Sequence, residues 1–493
     1  MRIRVTSNDL SLARADVAVC FAHEGARTPL GLGDAKLRNE LGRQMKSVRF
    51  KGGVGDRLSW SSNGKFTAQR FLVLGLGPDR GNPTHAIRSA VARAARQAAR
   101  VRAQRIAIAL PCLDGDVGLE QARAAVEGVK QGNYRFEKYI NDPDRKHVSL
   151  IAVELCGAAR PGSARNAVRR AEITADAVCL ARDLVNEAPS RMTPSAMAQV
   201  AARQAKRYGM RCKVMGKTEL ARLGMTALLN VSRGSVEPPK VVHIVYKPKT
   251  KARKKIVLVG KGVTFDSGGL NLKPGANMLT MKSDMAGSAA VLAAMTSLAQ
   301  TGVRVEVHGL LGLVENMTGG DAYKPGDILD TYAGKTVEIG NTDAEGRLVM
   351  CDLLAWAAAK LKPDYMVDVA TLTGAVVVAL GTEATGLFTR DDKLRDGLLA
   401  GASAAGEKLW QLPMYDEYLA LLQQGPADLN NVGGRWGGAI TAALFLGEFV
   451  PRDLAWAHLD IAGPAFAETA APERDAGATG AGAATLVRWL ESF

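Results

Sequence analysis

The chain has 493 residues, enough for two or three domains, and 47% of them are apolar, enough to fill large buried cores. Its formal net charge of +15 is unevenly placed, because residues 1–170 carry 30 Lys and Arg against 15 Asp and Glu while the remainder carries 34 of each. No apolar run reaches the roughly 18 residues of a membrane-spanning helix, and the Met1-Arg-Ile-Arg start lacks an apolar segment of signal-peptide length; a cytoplasmic protein without a cleaved leader is expected.

In chain order, strands are expected at Val17 to Ala22, Phe71 to Leu76, Ile106 to Leu110 and Val148 to Leu155. Helices are expected between them at Ala86 to Arg105 and Leu119 to Gln131. This is an α/β domain over 1–165. Its Gly75, Gly77 and Gly81 are spaced GxGxxxG, with no acidic residue at the distance a dinucleotide fingerprint requires, so a strand-to-helix turn is the better reading. Arg88, Arg93, Arg96, Arg100, Arg102 and Arg105 decorate the first long helix, and such a face can attract nucleic acid by counterion release. A solvated helix face is the plainer reading, as neither aromatic interleaving nor a named DNA-binding motif accompanies it.

Pro161-Gly162-Ser163 reads as a connector, followed by a linker helix over 166–190 that ends near Pro189 and Pro194. The third segment, 191–493, alternates again. It has strands at Lys240 to Tyr246 and Ile256 to Val259, a helix from Met285 to Gln300 and a strand from Val303 to Leu313. A hairpin over Ile328 to Ile339, a helix from Leu348 to Lys360 and strands at Tyr365 to Ala370 and Trp456 to Ile461 follow. The pattern is a mixed, mostly parallel sheet with helices on both faces. The Ala- and Gly-rich stretch from Ala467 to Ala483 reads as a loose loop.

The chemistry concentrates in two acidic clusters. Asn341-Thr342-Asp343-Ala344-Glu345-Gly346-Arg347 packs two carboxylates and a guanidinium into five residues just before a helical run, in a segment too rich in Gly and Asn to be helical itself. Upstream, the glycine-rich segment containing Lys261, Asp266, Ser267 and Lys273, followed by Asp284, lies at the carboxyl end of the Ile256 strand, where open α/β sheets place their ligands. Four carboxylates from Asp266, Asp284, Asp343 and Glu345 exceed what one small site tolerates unless divalent ions neutralise them. The six cysteines show no CxxC spacing and the six histidines no HExxH, so metal binding rests on carboxylates. Ser267 has no histidine partner in any recognisable motif, which argues against serine nucleophile chemistry.

These residues resemble the motif set of the leucyl aminopeptidases, the M17 family of dinuclear metallopeptidases. The resemblance spans roughly 175–490, through Arg182-Asp-Leu-Val-Asn-Glu, Asp368-Val-Ala-Thr-Leu-Thr-Gly374 and Gly438-Ala-Ile-Thr-Ala-Ala. It implies a macro-like α/β N-terminal domain joined by the helix to a three-layer α/β/α catalytic domain, a homohexamer, and two Mn²⁺ or Zn²⁺ ions per subunit. It further implies that Lys261, Asp266, Asp284, Asp343 and Glu345 are the ligands, with Asp266 and Glu345 bridging. Lys273 stabilises the developing oxyanion, and Arg347 holds a bicarbonate as general base. Met281, Thr371, Leu372 and Gly374 line the pocket for the first side chain or the bicarbonate. The substrate implied is a peptide with a free N-terminus, preferably beginning with Leu or another apolar residue.

Without the resemblance, Lys261 would read as a salt bridge to Asp266, Lys273 as an exposed loop lysine, and Arg347 as a partner of Glu345 or Asp343. Two other functions compete: two-metal phosphoester hydrolysis, which normally wants histidine or further basic groups, and nucleic-acid binding through the basic N-terminal domain.

Overall fold

The structure is a computed structural model that describes residues 1–80, 84–111, 115–157 and 161–493, the side chain of Ser163 excepted. The chain divides into two compact units, Met1–Asp176 with Thr469–Asp475, and Ala177–Glu468 with Ala476–Phe493.

The first unit contains β1 (Arg2–Val5), β2 (Val17–Ala22), α1 (Ala35–Ser47), β3 (Arg57–Ser61), β4 (Arg70–Gly75), α2 (Thr84–Arg100), β5 (Arg105–Ala109), α3 (Gly115–Asn133) and β6 (Ala152–Cys156). Its six-stranded sheet runs β1-β6-β5-β2-β4-β3, parallel except for β3. Strand β2 is apolar at every position and buried throughout, as expected of the interior of a parallel sheet covered on both faces. Helix α2 stops at Arg100, and Arg102 takes a positive φ of 55° that reverses the chain into β5. The expected continuation of the helix to Arg105 is therefore wrong by one turn. Of the GxGxxxG glycines, Gly75 ends β4, Gly77 follows it and Gly81 lies outside the described residues.

Helix α4 (Pro161–Asn186) begins earlier than the sequence suggests, with Pro161 as its first residue, where a missing N–H costs nothing. Pro161-Gly162-Ser163 is thus helical, and the two units divide inside this helix, after Asp176.

The second unit continues with α5 (Pro194–Arg207), β7 (Arg211–Gly216), α6 (Lys217–Leu223), α7 (Thr226–Val231), β8 (Lys240–Tyr246), β9 (Lys255–Asp266), α8 (Gly275–Met278), α9 (Ala286–Thr301) and β10 (Glu306–Asn316). After the hairpin β11 (Ile328–Asp330) and β12 (Thr336–Glu338) come α10 (Glu345–Leu361), β13 (Tyr365–Ala370), α11 (Gly374–Leu380), β14 (Ala384–Thr389), α12 (Asp392–Ala405) and β15 (Lys408–Gln411). The last elements are β16 (Leu429–Asn430), α13 (Gly438–Gly447), β17 (Ala455–Asp460), β18 (Phe466–Ala467), β19 (Gly477–Ala478) and α14 (Ala483–Leu490). The stretch expected to be a loose loop, 467–483, instead closes a two-stranded ribbon between β18 and β19 and sends Thr469–Asp475 back to the first unit.

The eight-stranded sheet runs β15-β14-β17-β13-β9-β10-β8-β7, parallel from β17 through β10 and antiparallel toward the β7 edge. Side chains of β9 alternate between its faces. Ile256 and Leu258 join a core with α9, α12 and α14, whereas Val257, Val259 and Val263 join a core with α10 and α13. A three-layer α/β/α unit results.

Candidate active site

Strand β9 was expected to end at Val259, but it runs on to Asp266 and so carries both Lys261 and Asp266. Five residues apart on a regular strand, those two side chains would point to opposite faces. A bulge prevents this: β10 pairs Val314 with Val263 and then Asn316 with Asp266, so β9 has one extra residue. Asp266 thereby returns to the face of Val259, Lys261 and Val263, which is the face covered by α10. The carbonyl end of the sheet becomes the floor of the site.

The acidic loop reaches the same place from the other side. Glu345 is the first residue of α10, not part of an extended loop, and Asp343 precedes it by one short turn. Single oxygens of Asp266, Asp343 and Glu345 all lie within 4.8 Å of one another. Gly346 permits the close approach, since a Cβ there would sit 2.5 Å from Lys261 Cε and 2.7 Å from its Nζ. Gly268, at φ +87°, turns the chain after β9 under Asp343, whose Oδ1 would lie 2.9 Å from a Cβ at that position.

Two lysines stand among the carboxylates. Lys261 Nζ, buried, donates to Asp284 Oδ1 at 2.7 Å and to the Thr371 carbonyl at 2.8 Å, and lies 2.9 Å from Glu345 Oε1. Burial opposes its charge, yet the facing Asp284, Glu345 and Asp266 outweigh burial and raise its pKa. Lys273 is no exposed loop lysine: its Nζ lies 2.9 Å from Asp266 Oδ2 and 2.6 Å from Asp343 Oδ1, and the same balance raises its pKa. Burial, followed by the Asp266 charge against the pull of Lys261, raises Glu345; burial also raises Asp284. Two ammonium groups do not satisfy four carboxylates. Asp284 Oδ2 and Glu345 Oε2 are buried with no hydrogen-bond partner among the described residues, the condition that a cation of higher charge would relieve.

Arg347, buried in the first turn of α10, pairs with neither neighbouring carboxylate. Its Nη1 donates to the Asn431 carbonyl at 2.6 Å, its guanidinium lies over the Phe445 ring, and its Nε has no partner among the described residues. Burial lowers its pKa to about 10. Met281 opens the short turn Met281–Met285 that carries Asp284. Thr371 donates its hydroxyl to Asp284 Oδ1 at 2.7 Å, Leu372 follows it half-buried, and Gly374 opens α11 with free space where a side chain would be. Ser267 Oγ donates to the Asn316 carbonyl and receives the Gly269 amide, so it serves the turn.

Three residues that sequence reading passed over hold this arrangement. Asn316 Nδ2 donates to Asp266 Oδ1 at 2.9 Å and to the Thr342 carbonyl at 3.0 Å. Tyr323 donates its hydroxyl to that carbonyl at 2.7 Å. Asn431 accepts the Gly340 and Asn341 amides on Oδ1 and donates to the Asn341 carbonyl, pinning the acidic loop. All three come from distant segments and carry no motif, so no local signal marks them.

Residues 179–487 match the catalytic domain of the cytosol aminopeptidase family, and residues 18–143 match the N-terminal domain of the same family. The chain belongs to the cytosol aminopeptidase family, peptidase family M17. It is a metal-dependent aminopeptidase that hydrolyses peptides from their N-terminus. The chain is 42% identical over 494 residues to a probable cytosol aminopeptidase of Synechococcus sp. (strain CC9605), covering 99% of each protein. It is 39% identical over 492 residues to the probable cytosol aminopeptidase of Aquifex aeolicus (strain VF5), covering 99% of this chain and 98% of that one. Among solved structures, the bottromycin maturation enzyme BotP in complex with Mn superposes with a TM-score of 0.86 at 38% identity, over 97% of this chain and 99% of that one. A mutant of tomato leucine aminopeptidase superposes with a TM-score of 0.89 at 33% identity, over 100% and 97%.

Beyond the site, the expected basic face of α2 is partly taken apart. Arg88 is buried against Glu127 of α3, with Nη2 2.9 Å and Nε 3.0 Å from Oε2, and Arg96 is paired with Asp475. A cleft of about 570 Å³ in the first unit is instead lined by Arg2, Arg4, Arg14 and Arg105 beside Glu154. Among the described residues no helix is long and apolar enough to cross a membrane.

Proposed function

We propose that the chain is a leucyl aminopeptidase using two divalent ions per subunit, Mn²⁺ or Zn²⁺, held by Lys261, Asp266, Asp284, Asp343 and Glu345. The observation that carries this reading is the convergence of Asp266, Asp343 and Glu345, with Asp284 joined to Glu345 through Lys261 and with buried, unpartnered oxygens on Asp284 and Glu345. Bound there, such ions supply Lewis acidity toward a peptide carbonyl and a nucleophilic water at neutral pH. Asp266 and Glu345, brought to the site from β9 and α10, would be the carboxylates shared between the two ions, as the family resemblance implies. Lys261 serves as a ligand only as a neutral amine, a form that its carboxylate neighbours disfavour until their charge is compensated.

Lys273, anchored by Asp266 and Asp343, presents its ammonium where negative charge develops on the scissile carbonyl oxygen. The unpartnered Nε of the buried Arg347 fits a bicarbonate, which would supply the base for proton removal from the attacking water. Met281, Thr371, Leu372 and Gly374 line the pocket for the first side chain or the bicarbonate, with a large apolar first side chain such as Leu preferred. The family resemblance adds a homohexamer and a cytoplasmic location. The likeness to BotP also favours including a bottromycin precursor peptide among the substrates tested.

Metal analysis of the purified protein, together with turnover of leucyl amide, N-acetyl-leucyl amide and nitrophenyl phosphate, tests this reading. Two ions per chain and turnover of the free-amine substrate alone are expected. Equal turnover of the acetylated substrate, or turnover of the phosphate ester alone, would overturn it. Light scattering reads the hexamer.

A second reading, nucleic-acid binding, rests on the four arginines of the cleft beside β1, β5 and β6. A gel shift that weakens steeply with salt and is lost in an Arg2→Ala, Arg4→Ala, Arg105→Ala variant would support it. A shift unchanged in that variant would remove it.

A further inference from the structure

The loop leaving β13 bears directly on the candidate site, and its conformation is set from the neighbouring strand. Strands β13 and β17 pair in parallel up to Ala370 and Asp460, and the Ile461 amide extends the pairing by donating to the Ala370 carbonyl at 2.9 Å. There β13 ends. The next three residues, Thr371, Leu372 and Thr373, lead past Asp284 and Lys261 to α11, which begins at Gly374.

Asp460 is fully buried and spends its carboxylate on this crossing. Its Oδ1 accepts the Leu372 amide at 3.0 Å and the Ala462 amide at 3.2 Å, while its Oδ2 accepts the Thr373 hydroxyl at 2.7 Å. Thr373 Oγ1 in turn accepts the Val376 amide and caps α11. One carboxylate thus fixes the loop on both sides of Leu372, and the residue ahead of that double anchor is Thr371. Thr371 makes two of the contacts around the Lys261–Asp284 pair: its hydroxyl donates to Asp284 Oδ1 at 2.7 Å and its carbonyl accepts Lys261 Nζ at 2.8 Å.

We propose that Asp460 is a positioning residue: by holding Leu372 and Thr373 it aims Thr371 at Asp284 and Lys261, and so sets the orientation of that half of the metal site. The proposal rests on the assignment of Asp284 and Lys261 as ligands. Partners hydrogen-bonded directly to metal ligands, as Thr371 is to Asp284, typically change metal affinity or activity by about 10-fold to 100-fold when removed, and Asp460 acts through that partner.

The test uses the full-length protein and manganese alone. In Asp460→Ala, calorimetric titration with Mn²⁺ should show one equivalent weakened by about 10-fold to 100-fold and the other unchanged, with kcat on leucyl amide falling by a similar factor. Asp460→Asn, which retains an acceptor for the Leu372 amide, should recover most of the loss. Should Asp460→Ala fail to fold, Thr373→Val removes one of the three hydrogen bonds in the same place, with Thr373→Ser as its rescue. Mn²⁺ affinity and kcat within about two-fold of the parent in a folded Asp460→Ala or Thr373→Val variant would overturn the proposal. Equal weakening of both equivalents with a lowered Tm would also overturn it, by marking Asp460 as a general brace. Asp284→Asn separates the two levels of inference: if it too leaves both equivalents intact, the ligand assignment fails before the positioning claim is reached.

Discussion

Glu345 and Asp352 lie seven residues apart on α10, on one stripe of the helix, both buried and both with a pKa raised first by burial. Their surroundings make them opposites. Asp352 accepts the Tyr332 amide on Oδ1 at 2.8 Å and the Leu228 amide, at the start of α7, on Oδ2 at 3.0 Å, so each oxygen has a donor. Glu345 faces Asp266 and Asp343, shares Lys261 with Asp284, and keeps one oxygen without a partner among the described residues. A perturbed pKa alone does not distinguish a structural carboxylate from a ligand. The distinguishing feature is whether the chain itself supplies the donors.

The sharpest way to break this comparison is to delete each carboxylate. On the proposed ligand assignment, Glu345→Ala should abolish both bound metal and activity while leaving the protein folded, since removing a shared carboxylate would leave two dications without their common counter-charge. Two tightly held metals in that variant, measured by elemental analysis, would sink the ligand assignment. Lys273→Ala should keep the metals and lower kcat by about 100-fold to 1,000-fold, the usual loss on removing one preorganised oxyanion donor. A parallel fall in metal content would make Lys273 structural, closer to the Asp352 kind.

Asp352→Ala should act in the other direction. It leaves two buried amides without acceptors, at about 1 to 3 kcal/mol each, so denaturant unfolding should shift while kcat per folded molecule and metal content stay near the parent's. Loss of metal at undiminished stability would erase the contrast. The smallest effect is in pH. Burial raises Asp352 from the ordinary 3.8 to about 7 in the folded protein, against the backbone amides that lower it. Its folded value lies above the unfolded one, so its contribution to stability is fully present below about 3.8 and is lost as pH rises through about 7. Asp352→Asn does not titrate. The Tm of the parent minus that of this variant should therefore shrink between pH 5 and pH 8; a constant difference would show that Asp352 does not titrate in that range.

The sequence by itself determined the repeated αβ alternation, because period-2 and period-3.6 apolar patterns are local. The strands at Val17–Ala22, Lys240–Tyr246 and Tyr365–Ala370 lie where those patterns put them. It also determined the acidic clusters around Asp266 and Asp343 and the family they resemble, since these are short motifs of charged residues and glycine. Tertiary structure decided what no local pattern encodes. The bulge opposite Val314 and Asn316 exists because β9 and β10 are paired, and it alone turns Asp266 to the side of Lys261. Helix α10 begins at Glu345, ahead of the apolar run from Leu348 that signals it, and a pairing with α3 buries Arg88, which its sequence neighbours would place in water. Asn316, Asn431 and Asp460 make hydrogen bonds at the candidate site to partners 50 to 91 residues away along the chain. Hydrogen bonds across such separations depend on which strands and loops become neighbours, and only the folded chain sets that.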